Sequence, residues 1–234
     1  MRTAVTPHEL VKLGAFCAGR LEALGISVTL SYDYKAIQAL ASKIKKPYLT
    51  KELSHIFNDF TPNNAFWLTL NASDSGKPIG VIGARMDNLR SADVLDFMLT
   101  QATRLHSDNG GEAFDPEHYP PVIDRMAGKI VYIGDFFVIE NHRGLKNLDK
   151  RALIFYVYIC AAIAWDFDWI YAFIRRPHAE QGYINAYCGV ISYPEARFWH
   201  SPPEARSDGE FFTTMDRADF GYLTKLFLKR PEAF

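Results

Sequence analysis

The chain has 234 residues, 48% of them hydrophobic and 23% charged, a mix that suits a globular protein and not a disordered tract. Its 26 basic and 27 acidic side chains leave a formal charge of −1, so no global electrostatic pull toward nucleic acid or an anionic membrane is expected. Three cysteines, Cys17, Cys160 and Cys188, form no C-x-x-C pair; this argues against a disulfide framework and a zinc site, and no metal is expected.

In chain order, Thr6 or a neighbour caps a first helix carrying Leu10, Leu13, Phe16, Cys17, Leu21 and Leu24 at helical spacing, with Gly25 placed to end it. Residues 36–44 read as a second helix, stopped before Pro47, and residues 50–60 as a third. Residues 65–71 (AFWLTLN) and 78–86 (PIGVIGARM), joined by Ser73-Asp74-Ser75-Gly76, give the clearest hairpin signal. Residues 93–105 look helical, and Gly, Pro and Asp mark an irregular excursion over 107–126. Residues 129–139 (KIVYIGDFFVI) are a strand, 148–165 a long apolar helix, and 169–174 (WIYAFI) a strand. A polar, partly helical connection follows over 175–187, then strands near 190–193 and 211–214, and a closing helix over 219–228. The expected fold class is α/β: a single domain with a mixed central sheet, whose unit 129–174 is a parallel strand–helix–strand crossover. The N-terminus lacks a basic segment followed by an apolar run, so no signal peptide is expected. The apolar stretch 152–165 falls short of the ~20 residues that span a bilayer. No membrane partner is expected, and the expected location is cytoplasmic.

The segment Val138-Ile139-Glu140-Asn141-His142-Arg143-Gly144 lies between a strand and a helix. A turn there aims backbone N–H groups at one point, and the helix dipole adds positive potential. That is an anion site, commonly occupied by a pyrophosphate, and Arg143 adds a charged donor. An ordinary strand-to-helix turn, with Gly144 supplying only a permissive φ, accounts for the same residues equally well.

Val138, Arg143 and Gly144, followed by the long apolar helix and a further strand, resemble the signature core of the GNAT (GCN5-related N-acetyltransferase) superfamily, whose turn reads Q/R-x-x-G-x-G/A. The hairpin 65–86 resembles that family's second and third strands, and Tyr187-Cys188-Gly189-Val190 its late Y-x-x-G-F segment. The resemblance covers roughly 65–193. It implies a GNAT-like, mostly antiparallel sheet with a helical N-terminal part over 1–60 and an insertion around 87–128. It also implies an acyl-CoA, most simply acetyl-CoA, as co-substrate, and an amine acceptor attacked directly. His142, Arg143, Gly144, Lys146 and Asn147 fall at or beside the pyrophosphate turn, and Phe137, Val138 and Ile139 form the strand that would polarise the thioester carbonyl. Tyr187 carries the role of acid toward the departing thiolate. The chain departs from the pattern where Glu140 replaces its proline and where Lys146 and Leu148 occupy its two later glycine positions.

Glu140 and Asp135 are candidates for the base that takes the amine's proton, against the commoner reading of carboxylates that pair with a cation or cap a strand. Tyr187 likewise has a structural reading as a half-buried core tyrosine. No G-x-S-x-G, P-loop or H-E-x-x-H element occurs, which disfavours a hydrolase of that type, a P-loop nucleotidase and a zincin. Two readings stand: an acyl-CoA-dependent N-acyltransferase, and a non-catalytic GNAT-like module that senses a ligand or binds a protein. A splayed opening between strands 137–139 and 169–174 favours the first, and a closed ladder the second. The helices of residues 1–60 either cover a sheet edge or form a homodimer surface.

Overall fold

The structure is a computed structural model that describes residues 5–90, 92–106, 119–139, 149–197 and 209–234, with backbone alone at 195–197. Helix α1 (Pro7–Glu22) starts on a capping box. The Thr6 hydroxyl accepts from the Glu9 N–H at 3.2 Å, and the Glu9 carboxylate accepts from the Thr6 N–H at 2.8 Å. Gly25, at φ 72°, turns the chain out of the helix into β1 (Ile26–Ser31). This six-residue edge strand has no counterpart among the sequence expectations. Helix α2 (Tyr34–Lys43) follows, capped by Asp33.

The third helix expected over 50–60 is a single 3-10 turn, Lys51–Leu53. Its backbone is claimed by side chains instead. The Asn58 amide donates to the carbonyls of Lys51 at 2.7 Å and Ser54 at 2.9 Å, and the Ser54 hydroxyl accepts from the Ile56 N–H at 3.3 Å. Such local bonds offer the backbone an alternative to the helical ladder.

The hairpin β2 (Ala65–Ala72) and β3 (Pro78–Asn88) is present as expected. Then come α3 (Val94–His106), β4 (Lys129–Val138), α4 (Lys150–Trp165), β5 (Trp169–Ile174), the short helices α5 (Arg176–Glu180) and α6 (Tyr183–Ala186), β6 (Ile191–Arg197), β7 (Glu210–Asp216) and α7 (Arg217–Lys229). The seven strands form one sheet in the order β1-β2-β3-β4-β5-β7-β6. Among the described residues only the β4–β5 pair is parallel, so the sheet is mixed and mostly antiparallel, as expected.

Strand alternation sends apolar residues to both faces. Phe66, Leu68, Val131, Ile133, Ile170 and Ala172 face α1, α4 and α7, whereas Trp67, Ile130, Tyr132, Trp169 and Tyr171 face α2 and α3. Helix α4 packs against both α1 and the sheet, and Ala152, Leu153, Ile154, Phe155, Val157 and Tyr158 are all buried. No helix among the described residues is long and apolar enough to cross a membrane.

Phe155 is fully buried and its ring meets those of Tyr158, Phe220, Phe227 and Phe234, whereas Ile163 on the same helix is 62% exposed. Phe155→Ala should therefore cost about 3–5 kcal/mol. Ile163→Ala should stay within about 0.5 kcal/mol of the parent protein. Urea denaturation of the two variants checks both values.

Candidate functional site

The geometry begins with one extra residue in β4. On β3 only Ile82 separates Val81 from Gly83, while on β4 both Asp135 and Phe136 separate their partners Phe137 and Gly134. This is a β-bulge, and Asp135 adopts the left-handed conformation at φ 57°, which aspartate tolerates better than most residues. A bulged strand bends and twists away from its flatter neighbour. The ladder between β4 and β5 accordingly stops at its third rung, after Ile130↔Trp169, Val131↔Ile170 and Tyr132↔Tyr171. Beyond Tyr132, β4 stays with β3 as far as Val138, and β5 stays with β7 as far as Ile174. No further β4–β5 rung occurs among the described residues, so the two strands part.

The Ile139 N–H donates to the Ile79 carbonyl at 2.8 Å. Alternation then turns the Val138 N–H the other way, toward the opening. Gly134 lies under the ring of Tyr132: a Cβ there would sit 2.7 Å from the phenol oxygen, so any side chain would displace that ring.

Asp135 is not exposed in the opening. Its carboxylate accepts from Lys46 Nζ at 2.8 Å, from the Thr50 N–H at 3.0 Å and from the Thr50 hydroxyl at 3.1 Å. Both charged side chains of this pair are buried. The bulge thereby ties the segment that follows α2 across the sheet.

Tyr187 sits at the end of α6, in the core on the α4 side of the sheet, 6% exposed. The Tyr158 hydroxyl donates to its carbonyl at 2.9 Å, and Gly189 holds the next turn against β7, where a Cβ would come within 1.8 Å of Thr213 Oγ1. Burial pushes the Tyr187 phenol up, and the neighbouring Tyr132, Tyr183 and Asp135 push it the same way. Tyr132 packs on the opposite face of the sheet.

Glu140, His142, Arg143, Gly144, Lys146 and Asn147 lie outside the described residues. Of their flanks, the N-terminus of α4 is capped by Asp149, which accepts from the Ala152 N–H at 2.9 Å and pairs with Arg20. Lys150 lies 4.1 Å from the centre of the Tyr183 ring, and Arg175 at the end of β5 donates to His178 Nε2 at 3.1 Å. These cations gather at the end where β4 and β5 are furthest from their common ladder.

Sequence reading missed a polar cluster on the α3 side. Arg85 of β3 is buried, with Nε 2.9 Å from Asp87 Oδ2 and Nη1 donating to the Glu52 carbonyl at 3.0 Å. Asp87, Tyr171 and Glu52 raise the guanidinium's pKa against the opposing effect of burial. His106 Nε2 lies 3.4 Å from Glu52 Oε1. The only sequence signal was an arginine in an otherwise apolar strand. No cluster of three or more metal-ligating side chains occurs among the described residues.

No family model matches the chain, and no curated protein is similar to it. Among solved structures, it is similar in fold to NAA60 of Arabidopsis thaliana in complex with acetyl-CoA, at 13% identity over 82% of this chain and 98% of that one, with a TM-score of 0.46. It is also similar to FeeM, an N-acyl amino acid synthase from uncultured soil microbes (9% identity, 83% and 92% covered, TM-score 0.45). A third is the spermidine N-acetyltransferase of Vibrio cholerae (11% identity, 84% and 96% covered, TM-score 0.45).

Asp135→Ala should cost about 3–5 kcal/mol in urea denaturation, because it strands a buried Lys46 ammonium. Adding Lys46→Met should recover part of that loss. Tyr158 and Tyr187 both have phenols raised above the ordinary value of 10 by burial. Above pH 10 the unfolded chain therefore releases protons that the native chain keeps, and stability falls as pH rises. Tyr187→Phe should flatten that decline in denaturation series taken above pH 10.

Proposed function

We propose that this chain is an acyl-CoA-dependent N-acyltransferase, with acetyl-CoA the simplest donor and an amine the acceptor. The observation that carries this reading is the parting of β4 and β5 beyond Tyr132 and Tyr171. An extended pantetheine arm fits such an opening as a short strand fits a sheet edge, by backbone hydrogen bonds. Phe137, Val138 and Ile139 then line it, as the strand that would polarise the thioester carbonyl, where negative charge develops during attack. His142, Arg143, Gly144, Lys146 and Asn147 hold the pyrophosphate in this reading.

Tyr187 meets the departing thiolate. A phenol above its ordinary value stays protonated at neutral pH, as an acid must. An ordinary thiol ionises near pH 8.5, so in water the transfer would run uphill. Inside the opening desolvation raises the thiol as well, and the phenol's hydrogen bond stabilises the charge as it forms. Asp135 already has its charge matched by Lys46, and we assign it to positioning. Glu140 remains a candidate base.

The alternative, a GNAT-like module that binds a ligand without transferring it, draws on Lys146 and Leu148 at the two glycine positions and on Asp149 at the head of α4. Calorimetric titration with acetyl-CoA and a longer acyl-CoA separates the readings. The expected result is saturable binding, weakened at least about tenfold when Arg143→Ala and Lys146→Ala are combined, each lost charged contact being worth about 1.5–3 kcal/mol. Tyr187→Phe should bind as well as the parent but transfer acetyl about 10²–10⁴ times more slowly. No binding by the folded parent protein would sink the transferase reading.

A further inference from the structure

The sheet has two edges, β1 and β6, and they are built differently. An open edge presents N–H and C=O groups that a further strand can pair with, and proteins commonly block it with a proline, a charge or an irregular register. Strand β6 carries Pro194, and its register against β7 shifts between Tyr193 and Arg197. Strand β1 carries no such device. It runs from Ile26 to Ser31 without a charged residue or a proline, and it pairs with β2 in unbroken register from Ile26↔Ala72 to Ser31↔Trp67. Among the described residues its backbone is hydrogen-bonded to no strand but β2.

The side chains of this edge are arranged symmetrically. Ile26-Ser27-Val28-Thr29-Leu30-Ser31-Tyr32 alternates apolar or aromatic residues with aliphatic hydroxyls, and the pattern reads the same in both directions from Thr29. Alternation puts Ile26, Val28 and Leu30 on the face that carries α1 and α4. Ile26 and Val28 join the core there, whereas Leu30, opposite Leu68, is 43% exposed. Ser27, Thr29 and Ser31 take the other face, where Asn71 Nδ2 donates to the Thr29 hydroxyl at 3.2 Å. Thr29 is exposed, and so is Tyr32 just past the strand.

We propose that β1 is a self-association edge: a second copy of this chain pairs its own β1 antiparallel to it, with Thr29 opposite Thr29 on a two-fold axis. A two-fold axis normal to the sheet relates two such strands directly, so one surface serves both copies. In this register every residue lies opposite the one equally far from Thr29 on the other copy. Val28 meets the partner's Leu30, Ser27 the partner's Ser31, and Ile26 the partner's Tyr32. Apolar groups thus meet apolar groups on one face and hydroxyls meet hydroxyls on the other, both favourable cross-strand pairs, and no charge opposes a like charge. A slip of one residue would set each apolar side chain beside a hydroxyl.

The two sheets become continuous, and β2 and β3 keep the parting of β4 from β5 away from the join. The pairing is therefore independent of the acyl-transfer reading. One strand from each copy is far smaller than the roughly 20–30 residues a side of a standard interface, so the dimer is reversible.

Sedimentation equilibrium on the intact chain, over a concentration series from micromolar to near-millimolar, tests the pairing. The mass should rise from 26.6 kDa toward twice that value. Thr29→Lys sets two ammonium groups face to face across the axis and should weaken the association at least about tenfold, and Thr29→Glu should do the same with two carboxylates. Mixing the two variants sets an ammonium against a carboxylate and should restore the association at least to the parent level. A folded parent protein that keeps the mass of one chain throughout would overturn the proposal. An association unchanged in both Thr29 variants, or one that their mixture fails to recover, would do so as well. If either Thr29 variant fails to fold, the double variant Ser27→Glu, Ser31→Lys decides, because this register sets its opposite charges side by side on both sides of the axis. It should tighten the parent association about threefold or more, and no tightening would overturn the pairing.

Discussion

The buried ion pair between Asp135 and Lys46 joins residues 89 positions apart and sits at the one irregular place in the central strand. A left-handed aspartate carries a conformational cost, and a buried carboxylate costs more still unless a cation and donors meet it. Lys46 and Thr50 supply both. The clamp makes the bulge tolerable, the bulge bends β4, and the bend ends its ladder with β5 after three rungs. The opening between the two strands follows from that sequence of constraints.

The two faces of the sheet then divide the chemistry. On the α4 side the surroundings are aromatic and apolar, and burial keeps the phenols of Tyr158 and Tyr187 protonated. The three free cysteines on this side are also held as thiols, with Cys17 and Cys160 pushed up to about 12 and Cys188 to about 11 by burial. A thiol so far above neutral pH is a poor nucleophile. On the α3 side Arg85 and Asp87 of the sheet meet Glu52 of the 3-10 turn and, through it, His106 of α3.

Much of the path was legible along the chain. The Thr6–Glu9 capping box, the β2–β3 hairpin, β4, α4 and β5 all follow from periodicity and turn chemistry within a few residues. Edge strand β1 escaped because its six residues have only one buried position, Ile26. Residues 50–60 read as helix because their apolar spacing allows one, but Asn58 and Ser54 side chains and the pull of Asp135 on Thr50 claim the backbone. Tyr187 was singled out through its motif. Arg85 and Glu52 were not, since neither carries a local pattern and each takes its meaning from a contact 33 residues away.

The sequence by itself determined most of the helices and strands, because these depend on side-chain period and on neighbours a turn away. Only the tertiary structure decided where β4 breaks step and which carboxylate is spent on a lysine. Those outcomes depend on what the folded chain brings together from distant positions. An aspartate in an apolar strand and a glutamate in a short turn look alike in sequence, and burial beside different partners gives them different work.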